Sequence, residues 1–336
     1  MYAPVLRQYG LKPFRMEQHG KVKKVYTNAG TFALKEIASV REMEAVWQSY
    51  IFCGQQSVPL YLTKQGLPFA AHGRHYYLMP WVFPAERKDT REHVLSFFRD
   101  LAYLHQKSLR QLDVSEEEIN NYYENKKREW ERQRSFLQSY VEKCENAWYM
   151  SPFQLQCCTY FHETMQAYSF AETEMEKWHE TIKKTKKWRI AWIHGKVRLS
   201  HYIVPEDNRR YFFSWERAGW NSPLFDVIMA LRHHMRTFPP IGDEWVEGIE
   251  AYEKTLSLSE EEQSFFFSHL AQPHFLYRCI YEYAAKRQHE KSEREYVSEL
   301  QRRYLTMKNI EYAVMRLAQR KAEENAKTTP DETPPQ

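Results

Sequence analysis

The polar side chains able to do chemistry gather in one stretch of the 336-residue chain. Ile193-His194-Gly195-Lys196 opens a loop, and His201 precedes the apolar run Tyr202-Ile203-Val204. Tyr211-Phe212-Phe213-Ser214-Trp215-Glu216 then leads through Pro223 and Asp226 into a helix. A loop–strand–turn–strand unit feeding a helix is a common way to hold polar groups at the mouth of a cleft. These groups fit no self-contained metal or nucleophile constellation. His233-His234 and the scattered histidines lack HExxH or CxxC context, so no metal site is assigned. Ser200 and His201 are neighbours on a loop and do not face each other as a nucleophile and its base must. Glu216 and Asp226 are the carboxylates left for any unusual acid–base work. Far upstream, Lys35 shares a strand face with Thr31, Ala33 and Ile37, so it points among small and apolar neighbours. A snorkelling lysine at a strand edge gives the same pattern. His19-Gly20-Lys21 supplies one glycine where a phosphate-cradling loop usually offers several, although Lys21, Lys23 and Lys24 can hold an anion electrostatically.

The elements that must position these groups read in two blocks. Phe14–Gln18 and Val22–Thr27 form a hairpin, Thr31–Ile37 a third strand, and Val58–Thr63 and Tyr76–Met79 two more. A helix over Val40–Phe52, with Val40, Met43, Val46-Trp47 and Tyr50-Ile51 at three-to-four spacing, is inserted after the third strand. This gives a small antiparallel five-stranded lobe over residues 1–83, ended by Pro80-Trp81-Val82-Phe83-Pro84. Residues 84–325 are helical almost throughout. One helix ends near Ser108, and a long one opens at the N-cap Ser115 and extends towards Trp148. Tyr123, Trp130, Leu137 and Cys144, seven apart, give it a narrow apolar seam. Further helices cover Phe161–Trp188, Leu224–Thr237, Asp243–Leu256, Glu260–Leu270, His274–His289 and Glu293–Glu323, and a disordered tail occupies 326–336. The fold class is α+β.

Composition excludes several functions. With 43% apolar and 15% aromatic residues there is ample core material. Mean hydropathy is −0.75 and no apolar run approaches the roughly 20 residues that span a bilayer, so a soluble protein is expected. The N-terminal residues lack the apolar core of a secretory signal. Net charge is +4, with Lys and Arg interleaved with Glu, as in Lys126-Lys127-Arg128-Glu129-Trp130-Glu131-Arg132. That pattern is a solvated helix face, and no nucleic-acid partner is expected. The five cysteines include no CxxC pair and are expected as reduced thiols; the adjacent Cys157-Cys158 could cross-link chains in an oxidising assembly.

Ala33-Leu34-Lys35 on the third strand, the hinge, the motif Leu101-Ala102-Tyr103-Leu104-His105, the His194-Gly195 loop and Trp215-Glu216 leading to Pro223 and Asp226 together resemble the protein-kinase-like fold. Within it the chain is similar to the aminoglycoside/choline phosphotransferase-like branch, and there it resembles the bacterial spore-coat kinase-like proteins of the CotS/YsxE/YutH group. The branch carries a His-Gly-Asp loop, an Asn five residues after the Asp, and later Ile-Asp-Trp-Glu. Phosphoryl transfer needs a carboxylate near the attacking hydroxyl and oxygen ligands for Mg²⁺. Here those three positions are Lys196, His201 and Ser214. The twenty residues from His194 to Ser214 match the family offset. The resemblance therefore implies a two-lobed kinase-like protein that has lost catalysis, a pseudokinase. It would serve as a structural or assembly component of the spore coat, made in the mother-cell cytoplasm, with other coat proteins as partners on the Ser115–Trp148 helix or the aromatic-rich helical lobe. It further implies Lys35, paired with Glu44 or Glu42, and the hinge around Met79 as nucleotide-binding candidates, with ATP held, if at all, without Mg²⁺. Asp226 would bond the loop backbone and His194 would orient the loop.

Overall fold

The computed structural model describes residues 2–86, 89–236, 242–285 and 291–328, with side chains to residue 323. In chain order the elements are α1 (Ala3–Gln8), β1 (Pro13–His19), β2 (Val22–Thr27), β3 (Gly30–Ile37), α2 (Val40–Cys53), β4 (Phe69–His72), β5 (Arg74–Pro80), α3 (Thr90–Ser108), β6 (Arg110–Asp113), α4 (Glu116–Glu145), α5 (Pro152–Thr185), β7 (Lys187–Ile193), β8 (Tyr202–Ile203), β9 (Tyr211–Phe212), β10 (Gly219–Asn221), α6 (Leu224–His234), α7 (Glu244–Glu253), α8 (Glu260–Ala271), α9 (His274–Ala284) and α10 (Glu293–Thr328). The chain divides into two compact units, Met1–Arg110 with Arg189–Ala230 and Gln111–Trp188 with Leu231–Gln336.

In the first unit β1–β5 form one antiparallel sheet in the order β1-β2-β3-β5-β4. Five strands were expected, but the fourth is Phe69–His72 rather than Val58–Thr63. Pro59 has no N–H to donate to a ladder, and the Val58–Thr63 segment contributes an isolated bridge in which the Tyr61 N–H donates to the Leu78 carbonyl at 2.7 Å. The true strand, Phe69-Ala70-Ala71-His72, is short and alanine-rich, which hides it from propensity. Helix α1, absent from the sequence reading, buries Val5 and Leu6 against Val25, Phe32, Leu34, Ala70, Tyr76 and Leu78, so one sheet face has a core of its own. Lys35 lies on the other periodicity of β3, opposite Tyr77 of β5 and beside buried Ala33 and Ile37. Helix α2 is started by Ser39, whose hydroxyl accepts the Glu42 N–H at 3.3 Å while the Glu42 carboxylate accepts the Ala38 N–H at 2.9 Å. Strand β10 pairs antiparallel with β7, and β8 with β9. The β7–β10 ladder flanks the His194–Ser214 stretch and the β8–β9 ladder lies within it.

In the second unit two long helices lie side by side. A capping box of Ser115 and Glu118 starts α4, as its sequence predicts. Its seam residues Trp130, Leu137 and Cys144 are buried, and the Tyr123 ring stacks on His179 of α5 at 4.0 Å between centroids. Helix α5 begins nine residues before the expected Phe161. The reason is a second capping box, Ser151 with Gln154, and Pro152 in the first turn. It ends at Lys186, whose φ is +50°, and β7 takes up Lys187–Ile193, where helix had been expected to run to Trp188. Arg232 caps α8 by donating to the carbonyls of His269 and Gln272, a cation at a helix C-terminus. Helix α10 runs to Thr328, past the 326 where a disordered tail was expected to start; residues 329–336 lie outside the described residues, as do 286–289 of the expected His274–His289 helix. All five cysteines are free thiols. No helix among the described residues is long and apolar enough to cross a membrane.

Candidate functional site

The His194-Gly195-Lys196 loop is held from beneath by one carboxylate. Asp226, in the first turn of α6, is fully buried, and its two oxygens accept the N–H groups of His194 at 2.6 Å and Gly195 at 2.9 Å. His105 of α3 completes its shell at 3.2 Å. Gly195 has φ +72°, and a Cβ there would lie 2.1 Å from the Arg217 carbonyl oxygen, so only glycine fits. The imidazole of His194 is fixed on both sides, with Nε2–H donating to the Phe213 carbonyl at 2.9 Å and Nδ1 accepting the Lys196 N–H at 3.3 Å. Burial lowers its pKa, so it is neutral and serves as a tie between loop and strand.

A second network closes around Lys35. Its ammonium pairs with the Glu216 carboxylate and donates to the Ser214 hydroxyl at 3.0 Å, while the Tyr77 hydroxyl donates to the same Glu216 oxygen at 2.6 Å. Burial raises the Glu216 pKa, but the charge and hydrogen bond of Lys35 and the bond from Tyr77 outweigh it, and the net shift is down. The partner expected for Lys35 was Glu44 or Glu42. Glu44 is exposed on α2 and Glu42 caps its own helix, so Glu216 takes the role instead. Glu216 was flagged only as a stray carboxylate. That it lies two residues beyond Ser214, on the strand-end turn facing β3, was the available signal. Tyr77 was missed because a tyrosine inside an apolar strand reads as core.

The three positions that the resemblance assigns, Lys196, His201 and Ser214, carry no carboxylate. Lys196 is exposed and cationic. His201 donates from Nδ1 to the Lys196 carbonyl at 2.9 Å, and burial with the neighbouring His194 lowers its pKa to about 3. Ser214 sits at φ +75°, its hydroxyl taken by Lys35. No cluster of three or more His, Cys, Asp or Glu able to hold a metal occurs among the described residues.

Beside this network is a cavity of about 250 Å³ within the first unit, walled by Val22, Ala33, Val58, Met79, Ile203 and Phe213 and edged by the hinge Pro80-Trp81-Val82. The His19 ring packs on Trp81 at 5.2 Å. Met79 thus lies on the cavity wall, while Lys35 lies off it, joined through Ser214 to Phe213. Of the hairpin lysines, Lys23 donates to Gln18 at 2.7 Å and Lys24 lies over the Trp81 and Phe83 rings at 4.9 and 5.0 Å; Lys21 is exposed at the tip.

The family profile "APH: Phosphotransferase enzyme family" matches residues 40–262, about two thirds of the chain. The chain belongs to the phosphotransferase enzyme family. Among solved structures, an aminoglycoside phosphotransferase from Alicyclobacillus acidocaldarius subsp. acidocaldarius superposes with a TM-score of 0.75 at 14% identity, covering 94% of this chain and 95% of that one. Spectinomycin phosphotransferase in its AMP-bound complex gives 0.55 at 11% identity, covering 90% and 94%. An amicoumacin kinase in complex with AMP-PNP and Ca²⁺ gives 0.51 at 10%, covering 91% and 93%. At such identities these likenesses carry the fold: the two-lobed kinase-like architecture expected from the motifs is the one present, with its five-stranded antiparallel sheet and mostly helical remainder. No curated protein sequence matches the chain. Phosphotransferases of this fold use Mg²⁺ held by carboxylate and amide oxygens. The residues here do not fit that ion: a lysine, an imidazole whose Nδ1 is spent on the backbone, and a hydroxyl accepting from Lys35 offer no anionic oxygen.

Proposed function

We propose that this phosphotransferase-family chain is catalytically degenerate and works as a structural or assembly component of the bacterial spore coat. The observation that carries the first half is the joint replacement at Lys196, His201 and Ser214, in a loop whose supporting bonds to Asp226 are intact. A lysine at the catalytic position cannot accept a hydroxyl proton at neutral pH. Lys35, the phosphate lysine of the resemblance, has its charge matched internally by Glu216. The coat assignment rests on the resemblance to the coat kinase-like group, with other coat proteins as partners. Two measurements test the reading. Mg²⁺-dependent turnover of ATP that disappears in Lys35→Ala would overturn the loss of catalysis. A fluorescent fusion found throughout vegetative cytosol and missing from developing spores would remove the coat role.

The cavity favours a second reading, a nucleotide-binding pseudokinase. Its apolar walls and hinge edge suit a planar heterocycle, and its volume lies just under the usual ligand-pocket range of about 300–1,000 Å³. The AMP and AMP-PNP complexes of the structural relatives support it. A ligand that binds only the folded state must raise the apparent Tm. No shift at millimolar ATP, with or without Mg²⁺, sinks this version and leaves the scaffold.

A further inference from the structure

The loop that hydrogen bonds tie to the cavity-wall residue Phe213 carries cations. Where a metal-dependent site gathers anionic oxygens, this loop carries Lys196 and Arg198, the latter half-buried and near enough to His201 to oppose its protonation. The carboxylates nearby are committed elsewhere. Asp226 lies under the turn with its oxygens on His194, Gly195 and His105, and Glu216 is engaged by Lys35 and Tyr77. The path from cavity to loop is short in bonds: Phe213 lines the cavity, its N–H donates to the His201 carbonyl at 3.1 Å, and His201 in turn bonds the Lys196 carbonyl at 2.9 Å. Lys21, at the tip of the hairpin whose His19 edges the cavity, adds another exposed cation.

We infer that the site takes a nucleoside polyphosphate as the metal-free anion, with Lys196 and Arg198 in the electrostatic place of the divalent cations, so that Mg²⁺ competes with binding instead of promoting it. The inference rests on the nucleotide-binding reading above and deepens it. Lys196 and Arg198 attract the tetra-anionic chain of free ATP more than the dianionic Mg²⁺ complex. A metal ion brought in with the phosphates would meet Lys196 and Arg198, while the carboxylates of Glu216 and Asp226 are already engaged by Lys35, Tyr77 and the loop backbone. The sign of the Mg²⁺ effect therefore separates this site from a metal-using one.

The test is calorimetric titration of the full chain with ATP and with adenosine, in EDTA and in excess Mg²⁺. The wild type is compared with Lys196→Ala, Arg198→Ala and Lys196→Asp. The expected result is ATP binding in EDTA that weakens at least tenfold in Mg²⁺ and falls with rising salt. Lys196→Ala and Arg198→Ala each weaken ATP several-fold while leaving adenosine unchanged, and Lys196→Asp removes the antagonism by Mg²⁺. Because Lys196 is exposed, its variants should keep the wild-type circular dichroism and urea midpoint, so lost binding is not lost folding. Tighter ATP binding in Mg²⁺, or indifference to Lys196→Ala, overturns the inference. If ATP binds no better than adenosine, the inference fails and the base-binding cavity stands; if neither binds, both fall.

Discussion

Asp226→Asn is the sharpest perturbation of the loop frame. The carboxylate is fully buried and accepts two backbone N–H bonds, at 2.6 Å from His194 and 2.9 Å from Gly195, with His105 at 3.2 Å. An asparagine keeps one acceptor oxygen and turns an NH₂ towards a group that is itself a donor. One charge-assisted bond, about 1.5–3 kcal/mol, is lost, and one buried N–H is left unpaired at about 1–3 kcal/mol. The expected loss is about 3–5 kcal/mol, a large part of the 5–15 kcal/mol typical of a folded domain. Urea unfolding followed by circular dichroism reads the global effect. Hydrogen exchange at the His194 and Gly195 amides reads the local one, and a loss of about 3 kcal/mol corresponds to roughly a hundredfold faster exchange. Lys196→Ala, two residues from the same anchor but exposed, should match wild type in both. Should Asp226→Asn cost under about 1 kcal/mol with unchanged exchange, Asp226 is not what holds the loop, and the retained-frame argument collapses.

Three more perturbations probe the rest of the frame. Gly195→Ala puts a Cβ 2.1 Å from the Arg217 carbonyl oxygen at a φ of +72°; a loss above about 3 kcal/mol in denaturant melts is expected, and a mild effect would mean the turn relaxes freely. Glu216→Gln, which leaves the buried Lys35 ammonium uncompensated, should cost about 3 kcal/mol or more, whereas Lys35→Met with Glu216→Leu should recover most of that; additive losses in the double-mutant cycle would refute the pairing. Because the Glu216 pKa is depressed on folding, its contribution is complete above the ordinary carboxylate value of about 4.3 and disappears as pH falls through the folded value, and Glu216→Gln should lack that acid limb. Burial lowers the His269 pKa to about 3, so its stabilising neutral form is fully allowed above about 6.5 and opposed as pH falls from there. At pH 5 this should cost the wild type about 2 kcal/mol relative to pH 7.5, a slope that His269→Gln flattens in pH-dependent urea melts.

Much of the architecture was legible because local chemistry and tertiary need agreed. The hairpin around Gly20, β3, the α2 periodicity and the Ser115 capping box each carry signals that packing reinforces. Segments whose signals conflict were misread. Val58–Thr63 looks like a strand until Pro59 is weighed, and Phe69–His72 is a strand because β5 lies beside it. The start of α5 is also written in the sequence, since Ser151-Pro152-Phe153-Gln154 spells a cap and a first turn, yet apolar periodicity alone places it at Phe161. At the candidate site, the resemblance rather than residue type assigned Lys196, His201 and Ser214 to the positions of Asp, Asn and Asp. Which carboxylate meets Lys35 was not legible, since 181 residues separate it from Glu216 and only the packing of β3 against the turn after β9 brings them together. Spacing within one element sees Glu42 and Glu44; it has no means to see Glu216.

The backbone at Ser214 bears on how far this chain stands from its relatives. A φ of +75° is disfavoured for serine, whereas asparagine and aspartate, whose short polar side chains bond locally, visit that region readily. The main chain therefore still holds the shape that an acidic residue would occupy with less strain than the present one. On the positions that the resemblance assigns, the oxygen-ligand set lies three substitutions away, at Lys196, His201 and Ser214. A library randomised at those three positions alone asks whether oxygen ligands there give Mg²⁺-dependent turnover on this backbone.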